Sequence, residues 1–276
     1  MTENLDALNQ ETRDAWEINA EVWDNRMGDE GNDFFNVLCW PALASLLDTS
    51  TKLSTGLKPD SHILDIACGN GLTTRRLAEL GAQVTAFDFS SNLIERAKAR
   101  LANYQSQITF HIIDATNESQ LLSLGEHKFD SALSNMALFD MANIETLFQV
   151  LPKLLKPKGT FVFSITHPAF NNASSMHVAE EMDDGEIKTI YSIKVSRYMT
   201  STHQRGLALR NQPKPQVYFD RPLQYYLNLG FQNGFILDGF EERAFPPETP
   251  QTFPLGWGGK FSEIPPVIIA RMRLLA

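Results

Sequence analysis

The N-terminal part of the chain carries apolar side chains at helical spacing. The residues that fall close to one helical stripe are Leu5, Leu8, Ala15, Trp16, Val22 and Trp23. This spacing predicts an amphipathic helix. A second helix is predicted over FFNVLCWPALASLLD, with Asn32 or Asp33 as its N-cap and a kink or restart at Pro41, because proline has no amide hydrogen. We therefore expect residues 1–60 to form an N-terminal helical cap.

From His62 onward, apolar strands alternate with amphipathic helices. The predicted strands are HILDIAC, QVTAFDF, ITFHIID, FDSALSN and TFVFSIT. The first of them is a continuous apolar run, as expected for a strand that is covered on both faces. Repeated strand–helix units predict a parallel sheet with helices on both sides.

The alternation stops after THPAF, and residues 170–218 show no clean period. We interpret this segment as an insertion after strand five. A helix over RPLQYYLNLG then precedes a sixth strand, FILDGFEERA, and a last strand, PPVIIARMRLL. The loop between these two strands has no room for a crossover helix, so the pair should be antiparallel. Residues 61–276 are thus expected to form one α/β domain with a Rossmann-like, seven-stranded, mostly parallel sheet whose last strand is antiparallel.

Composition and charge narrow the classes of partner. The chain has 276 residues, 43% of them hydrophobic and 21% charged, a mix typical of globular domains. A formal charge of −9 makes nucleic acid a poor partner, because phosphate binding depends on basic side chains. Only two cysteines are present, Cys39 and Cys68, which suits a reducing compartment and predicts neither a disulfide framework nor a metal site.

The N-terminus is polar and acidic and lacks the features of a signal peptide. No apolar run approaches the roughly 20 residues that are needed to span a membrane. We therefore expect a cytoplasmic protein that acts on a small molecule, without a membrane span. The sequence leaves a homodimer open.

The stretch ILDIACGNG reads as a strand that runs into a tight glycine turn. Gly69 and Gly71 have no side chain, so a ligand can lie against the backbone of the turn. The helix that follows offers free N–H groups and the positive end of its dipole. Asp88 closes the second strand, where a carboxylate can accept hydrogen bonds from ribose hydroxyls. These features suit any nucleotide, including a dinucleotide.

Three features separate the candidate ligands. The third glycine of the dinucleotide fingerprint is missing from the run Gly69–Thr74. Asp65 precedes the turn; it would repel a pyrophosphate, but it would stabilise an ammonium group by roughly a few kcal/mol at an effective dielectric near 20. Asp114 ends the third strand, where it can reach an adenine amine. Any one of these aspartates could equally cap the next helix, but three acids on one rim suit a cationic ligand with a ribose and an amine.

At these positions the chain resembles the class I S-adenosylmethionine-dependent methyltransferases. The motifs that carry the resemblance are ILDIACGNG, VTAFDFS, IIDAT, FDSALSNMALFDM and LLKPKGTFVFSITHP. The resemblance covers about residues 60–276 and is closest to the small-molecule branch that includes ubiquinone and menaquinone methyltransferases. It implies a seven-stranded sheet with an antiparallel last strand, S-adenosylmethionine as cofactor and S-adenosylhomocysteine as product.

For the methionine end of the cofactor, the resemblance implies Asp65 and the backbone around Ala67 and Gly69. It places Asn135 and Met136 along the sulfonium. Here it also departs from the enzymes that methylate amino groups of DNA bases and glutamine, which carry an Asn/Asp-Pro-Pro-Tyr stretch where this chain has Ser-Asn-Met-Ala.

For the nucleoside end, the resemblance implies that Asp88 takes the ribose hydroxyls and that Phe89 packs on adenine. Asp114 would bond the adenine amine, with help from the N–H of Ala115. Similar proteins also close the cofactor site with an N-terminal helix. Trp23 and Arg26 are therefore candidates for contact with the methionine carboxylate, although core packing explains Trp23 equally well.

For the reaction, His167 is the first candidate for a general base, since it follows strand five on the rim and histidine titrates near neutral pH. The alternative is that it only forms a turn before Pro168. The tyrosines proposed as weaker candidates for shaping the pocket are Tyr191, Tyr198 and Tyr225. The insertion and the N-terminal helices would cover the site like a lid, which suits a small molecule. Relatives often carry histidine where this chain has Asp220, so no role is transferred to that position.

Transfer of a methyl group from S-adenosylmethionine to a small-molecule acceptor by in-line displacement is the leading functional hypothesis. Two alternatives remain at this stage. One is a non-catalytic protein that binds the cofactor, because an intact cofactor half says little about catalysis. The other, less favoured by the missing glycine and by Asp65, is an NAD-dependent oxidoreductase.

Overall fold

A computed structural model describes residues 4–47 and 60–275. Residues 1–3 and 48–59 of the predicted cap lie outside the described residues. The described strands are β1 (His62–Ile66), β2 (Gln83–Asp88), β3 (Ile108–Ile112), β4 (Phe129–Asn135), β5 (Leu155–Thr166), β6 (Ser175–Asp183), β7 (Ile187–Val195), β8 (Thr202–Gly206), β9 (Gln216–Asp220), β10 (Phe235–Arg243) and β11 (Val267–Leu274).

The described α-helices are α1 (Leu5–Met27), α2 (Trp40–Leu47), α3 (Leu72–Glu79), α4 (Ser91–Arg100), α5 (Glu118–Leu122), α6 (Glu145–Leu154) and α7 (Leu223–Gln232). A π-helix, Phe34–Cys39, leads into α2. The predicted restart of the second helix therefore falls beside Pro41, which has no N–H for the helical ladder. Of the two predicted caps, the Asn32 side chain is the one that bonds, accepting from the Phe35 N–H at 3.0 Å.

A seven-stranded sheet has the order β10-β11-β5-β4-β1-β2-β3. Strands β1 to β5 are parallel, while β11 is antiparallel to both of its neighbours, β10 and β5. Among the described residues, only a short 3₁₀ turn at Gly259–Phe261 lies between β10 and β11. The predicted α/β fold and its antiparallel last strand are confirmed.

Helices cover both faces of the sheet. On one face, Leu64 and Ile66 of β1 join a cluster with Phe148 and Leu151 of α6. On the other face, Ile63 packs in a cluster with side chains of α2, α3 and α4. Each such buried aliphatic or aromatic side chain stabilises the fold by about 1.5–3 kcal/mol. The continuous apolar pattern of β1 is explained by this double burial.

The insertion consists of two antiparallel hairpins, β6–β7 and β8–β9. Sequence reasoning predicted no strands there, because β6 and β7 are largely exposed and carry no inward-facing apolar alternation. In contrast, β9 is mostly buried, and it packs against α1 and the turn after β4. The second hairpin therefore belongs to the same side of the molecule as α1.

Candidate active site

The three predicted acids meet at one rim of the sheet. Asp65 lies in β1, Asp88 ends β2, and Asp114 follows β3, so parallel strands deliver all three to the edge where their carboxyl ends lie. All three residues are buried. A rim of buried carboxylates is costly unless hydrogen bonds or a cationic ligand compensate.

Asp65 has little compensation within the chain. Its Oδ2 accepts a hydrogen bond of 2.6 Å from the Thr74 hydroxyl. Burial raises the pKa of Asp65 to about 7; the Thr74 bond lowers it, and the charge of Asp88 raises it further. A cation placed beside this carboxylate would restore its charge, which is the condition that an ammonium ligand meets.

Asp88 organises the glycine turn. One of its oxygens accepts from the Gly69 N–H and the other from the Ser90 N–H, both at 2.9 Å. Burial raises its pKa to about 6, and the backbone bonds from Ser90 and Gly69 oppose that shift. The side chain thus joins the end of β2 to the turn after β1.

Two non-glycine residues beside the rim have left-handed backbone. Ala67 has φ of 53° and Met136 has φ of 54°. Such a conformation costs on the order of 1–3 kcal/mol and persists where the surroundings enforce it, often at ligand sites. At Met136 the enforcement is visible, because its N–H donates to the Ser164 hydroxyl at 3.0 Å while that hydroxyl donates to Asn135 at 2.6 Å.

Asp114 is shared with α1. Its Oδ2 accepts from the Asn9 side chain at 2.8 Å, and its Oδ1 accepts from the Thr116 N–H at 2.8 Å. The Oδ2 atom would be needed for an adenine amine in the predicted role. Asn9 therefore lies at the nucleoside end of the site, a contact that the sequence did not predict because nothing in it fixes where α1 docks.

Glu17 of α1 caps the N-terminus of α4. Its carboxylate accepts from the Ser91 N–H at 2.7 Å and from the Asn92 N–H at 3.1 Å. It also accepts from the hydroxyls of Ser90 and Ser91. Burial alone would raise the pKa of Glu17, but the bonds from Asn92 and Ser91 outweigh it and the pKa is lowered. A negative charge is well placed there, at the positive end of a helix dipole.

The C-terminal part of α1 is fixed by Asp24. Its Oδ1 accepts from the Asn70 side chain at 3.0 Å, and Oδ2 pairs with Arg96 at 3.3 Å. Arg100 bonds the same carboxylate. Helix α1 is therefore attached by polar bonds to the glycine turn, to α4 and to Asp114, and it covers the rim.

A cleft lies between the rim and α1. Every predicted cofactor residue except Arg26 lines it, namely Trp23, Asp65, Ala67, Gly69, Asp88, Phe89, Asp114, Ala115, Asn135 and Met136. The lining residues that sequence reasoning missed include Asn9, Trp16, Asn70, Thr73 and Asp140. Asp140 could have been found by the same rule as the other acids, since it follows the end of β4.

Arg26 does not fit its predicted role. It is exposed on α1, does not line the cleft, and has no hydrogen bond or ion pair among the residues the structure describes. Trp23 lines the cleft, whereas Arg26 lies exposed in the last turn of α1. A contact between Arg26 and a methionine carboxylate is not supported by this arrangement.

His167 is placed for structure rather than for proton transfer. It is buried, and its Nδ1 accepts from the N–H groups of Ala169 at 3.1 Å and Phe170 at 3.3 Å. The proton therefore lies on Nε2, which donates to Glu242 at 2.9 Å. Burial lowers the pKa of His167, with Glu242 opposing. With both ring nitrogens engaged and no place in the lining of the cleft, the arrangement argues against the predicted base.

A second cavity of about 520 Å³ adjoins the cleft. The residues that line both are Trp16, Trp23, Met27, Asn135, Met136 and Asp140. Its far wall comes from the second hairpin and its loop, including Gln204, Leu207 and Tyr218. A volume in this range suits a small organic molecule.

The three tyrosines that the sequence suggested for this pocket lie elsewhere. Tyr191 packs on Phe261, the Tyr198 hydroxyl accepts from the Leu223 N–H, and Tyr225 donates to Glu145. Tyr218 lines the cavity instead. The sequence did not reveal the pairing of β8 with β9, and this pairing brings Tyr218 to the site.

Comparison with known proteins agrees with this geometry. Residues 63–159 match the family model of a methyltransferase domain. The 2-phytyl-1,4-naphtoquinone methyltransferase of Nostoc sp. is 35% identical over 106 residues, which cover 37% of this chain and 45% of that protein. The ubiquinone biosynthesis O-methyltransferase of Coxiella burnetii is 30% identical over 109 residues, covering 40% and 45%. The chain thus spans less than half the length of the curated relatives it matches.

The likeness to solved structures extends over more of the chain. An S-adenosylmethionine dependent methyltransferase from Mesorhizobium loti superposes with a TM-score of 0.62 at 23% identity, covering 89% of this chain and 100% of that one. At this identity the likeness shows the fold. Residues 63–159 therefore match a methyltransferase domain, and the chain shares its fold with this solved S-adenosylmethionine dependent methyltransferase.

Proposed function

We propose that the protein transfers a methyl group from S-adenosylmethionine to a small-molecule acceptor. The observation that carries the proposal is the rim of buried aspartates, uncompensated by any described cation, in a cleft that opens onto an aromatic-lined cavity. The cleft fits the methyl donor, and the second cavity fits an acceptor. The methyltransferase domain match and the quinone-type relatives support the same reading.

The donor set of the cleft fits this cofactor. Asp65, whose carboxylate pairs with no cation of the described part of the chain, would hold the methionine ammonium beside the turn at Gly69. Asp88 would accept from the ribose hydroxyls, while Phe89, Asp114 and the Ala115 N–H would hold adenine. When bound, the cofactor supplies a methyl group activated by a positively charged sulfur.

The protein's own contribution is alignment and exclusion of water. Asn135 and Met136 lie where the cleft meets the second cavity, held by Ser164 in a fixed backbone conformation. Trp16 and Trp23 close the same junction from α1 with their rings 5.1 Å apart. Holding an acceptor and the methyl carbon in line across such a junction lowers the entropy cost of the displacement.

The alternatives receive no support from the structure. A dinucleotide would place a pyrophosphate near Asp65, and repulsion between these negative charges disfavours it. A purely cofactor-binding protein has no need of the second cavity. We therefore keep methyl transfer as the function and propose the predicted division into a cap, residues 1–60, and a catalytic domain, residues 61–276.

Location and assembly belong to the proposal as well. No helix among the described residues is both long and apolar enough to cross a lipid bilayer. We propose a cytoplasmic enzyme without a nucleic-acid partner, and we leave a homodimer as a prediction. Light scattering on the purified chain at micromolar concentration distinguishes a mass of 31.0 kDa from its double.

Calorimetry tests the proposed function directly. The protein should bind S-adenosylhomocysteine at micromolar levels and should not bind NADH. A panel of small-molecule acceptors, with release of S-adenosylhomocysteine as the readout, then separates an enzyme from a binding protein. Binding of NADH without binding of S-adenosylhomocysteine would overturn the proposal.

A further inference from the structure

Asp140 stands at the junction of the two spaces. It ends a 3₁₀ turn, Leu138–Asp140, directly after β4, and it lines both the cleft and the second cavity. Its Oδ1 is buried and has no hydrogen-bond partner among the described residues. An unpaired carboxylate oxygen in such a place is costly unless a ligand supplies its partner.

Within residues 4–47 and 60–275, no cation pairs with Asp140. Asp88 approaches from β2 and adds to the effect of burial, which raises the pKa of Asp140 well above its usual value. From β9, the pKa of Tyr218 is raised by burial and by Asp140, so that phenol stays protonated. Arg221 is committed behind the turn, where it donates to the carbonyls of Leu138 at 3.2 Å and Met141 at 2.7 Å.

The second cavity has acidic and aromatic walls. The described residues that line it include Asp140 and Asp220 but no lysine or arginine. The rings of Phe139 and Tyr218 lie 5.8 Å apart on one side, and Trp16 and Trp23 close the junction. Carboxylates next to aromatic faces attract cations, and they disfavour phosphates and carboxylates.

We propose that the second cavity takes an amine-bearing acceptor and that Asp140 holds its ammonium group and receives its proton. This inference rests on the proposed methyl transfer and names the acceptor class. The Asp140 carboxylate takes one proton from the ammonium, which leaves a neutral amine. The nitrogen lone pair then forms the N–C bond as the C–S bond breaks, and the electron pair of that bond stays on sulfur. The acquired proton leaves Asp140 for solvent before the next turnover.

The test uses two sets of matched probes. Tryptamine, tryptophol and indole-3-acetate share one ring and differ in an ammonium, hydroxyl or carboxylate group; phenethylamine, 2-phenylethanol and phenylacetate repeat the series at smaller size. Each is titrated by calorimetry into the full chain saturated with S-adenosylhomocysteine. We expect the ammonium probe to bind at least ~10-fold more tightly than the alcohol in at least one series, and the carboxylates not to bind.

Variants assign the preference to Asp140. In Asp140→Asn, the ammonium probe should lose about 10-fold in affinity, while the alcohol and S-adenosylhomocysteine keep theirs within about 3-fold. The control is Asp184→Asn, a change at an exposed hairpin acid that pairs with Lys188, which should alter nothing.

Three results would overturn the inference. The first is that neither series shows a preference for the ammonium probe, which includes the case in which no probe binds, and the second is that the carboxylates bind more tightly than the ammonium probes. The third is that Asp140→Asn loses affinity for S-adenosylhomocysteine while its preference for the ammonium probe stays intact. Failure of the wild-type chain to bind S-adenosylhomocysteine at all would instead defeat the proposed function, so the two failures are distinguishable.

Discussion

The cofactor cleft and the second cavity are neighbours, but the chain builds them in different ways. The floor of the cleft is made of strand ends and one glycine turn, so its acids follow each other in the order of the strands. The second cavity shares Asn135, Met136 and Asp140 with the cleft, but many of its other lining residues come from α1, the π-helix and a hairpin inserted more than one hundred residues later. The donor side is therefore encoded by the local sequence pattern, whereas the acceptor side depends on how distant elements dock.

The largest expected effect concerns Asp88. Changing Asp88→Ala removes the acceptor for the ribose hydroxyls and leaves the N–H groups of Gly69 and Ser90 without a partner. We expect affinity for S-adenosylhomocysteine to fall about 100-fold, close to 3 kcal/mol. Calorimetry measures it, with circular dichroism as the check on folding. Wild-type affinity in a folded Asp88→Ala protein would show that the cleft is not the donor site.

Asp65→Asn should change the stability of the ligand-free protein and its affinity for the cofactor in opposite directions. Because burial raises the pKa of Asp65 from 3.8 to about 7, the native state keeps a proton that the unfolded state has lost. Stability of the ligand-free protein therefore falls as pH rises through this window, by up to a few kcal/mol. Asparagine carries no charge to desolvate and can still accept from Thr74. The variant should melt several degrees higher than wild type at pH 8 and yet lose cofactor affinity.

The opposite pattern would contradict this account of Asp65. If Asp65→Asn melts lower than wild type at pH 8, the carboxylate has a partner that the structure does not show. Melting curves at pH 5 and pH 8, recorded with and without S-adenosylhomocysteine, provide the comparison. The gain from the substitution should shrink at pH 5, where the native carboxyl group is already protonated.

Glu17→Gln tests how firmly helix α1 is attached over the rim of the sheet. Losing the charge at the N-terminus of α4 should cost about 1 kcal/mol. Because the pKa of Glu17 is lowered in the folded state, its contribution is present near neutral pH and is lost as pH falls through the usual pKa of glutamate toward the lowered one. We expect faster hydrogen exchange in α1 and a roughly 5-fold loss of cofactor affinity. Glu21→Gln, on the same helix but exposed, is the matched control.

Tyr218→Phe should have the smallest effect on binding at the donor site. Tyr218 accepts from the Gln216 side chain at 2.8 Å and lines only the second cavity. The variant should bind S-adenosylhomocysteine within 2-fold of wild type, while its affinity for acceptor molecules changes. Loss of cofactor binding in this variant would mean that the two spaces are one site, and the comparison would fail.

The same contrast explains which site residues could be predicted from the sequence. Asp65, Asp88 and Asp114 were found because a parallel sheet brings strand ends together, whatever the rest of the chain does. His167 obeyed that rule too, but its ring nitrogens are already occupied. One donates to Glu242, which is 75 residues away in the chain, and the other accepts from the nearby N–H groups of Ala169 and Phe170. Position on the rim does not reveal which side chains are already paired.

The position of α1 over the rim was harder to predict for a related reason. The helical stripe identified α1, but its docking depends on Glu17 and Asp24 finding partners in α4 and in the glycine turn. Such polar contacts leave no periodic trace in the sequence. The contacts of Tyr191, Tyr198 and Tyr225 likewise come from other elements, through Phe261, Leu223 and Glu145, and the sequence does not show these pairings.

A crystal structure of the protein with S-adenosylhomocysteine would show directly whether the rim of aspartates holds the methyl donor. We expect the amino group of the ligand beside Asp65, its ribose on Asp88 and its adenine against Phe89, with the sulfur facing the junction at Met136 and Asp140. A ligand bound outside the space between the rim and α1, or bound there with its adenine beside Asp65, would show that the aspartates have another role.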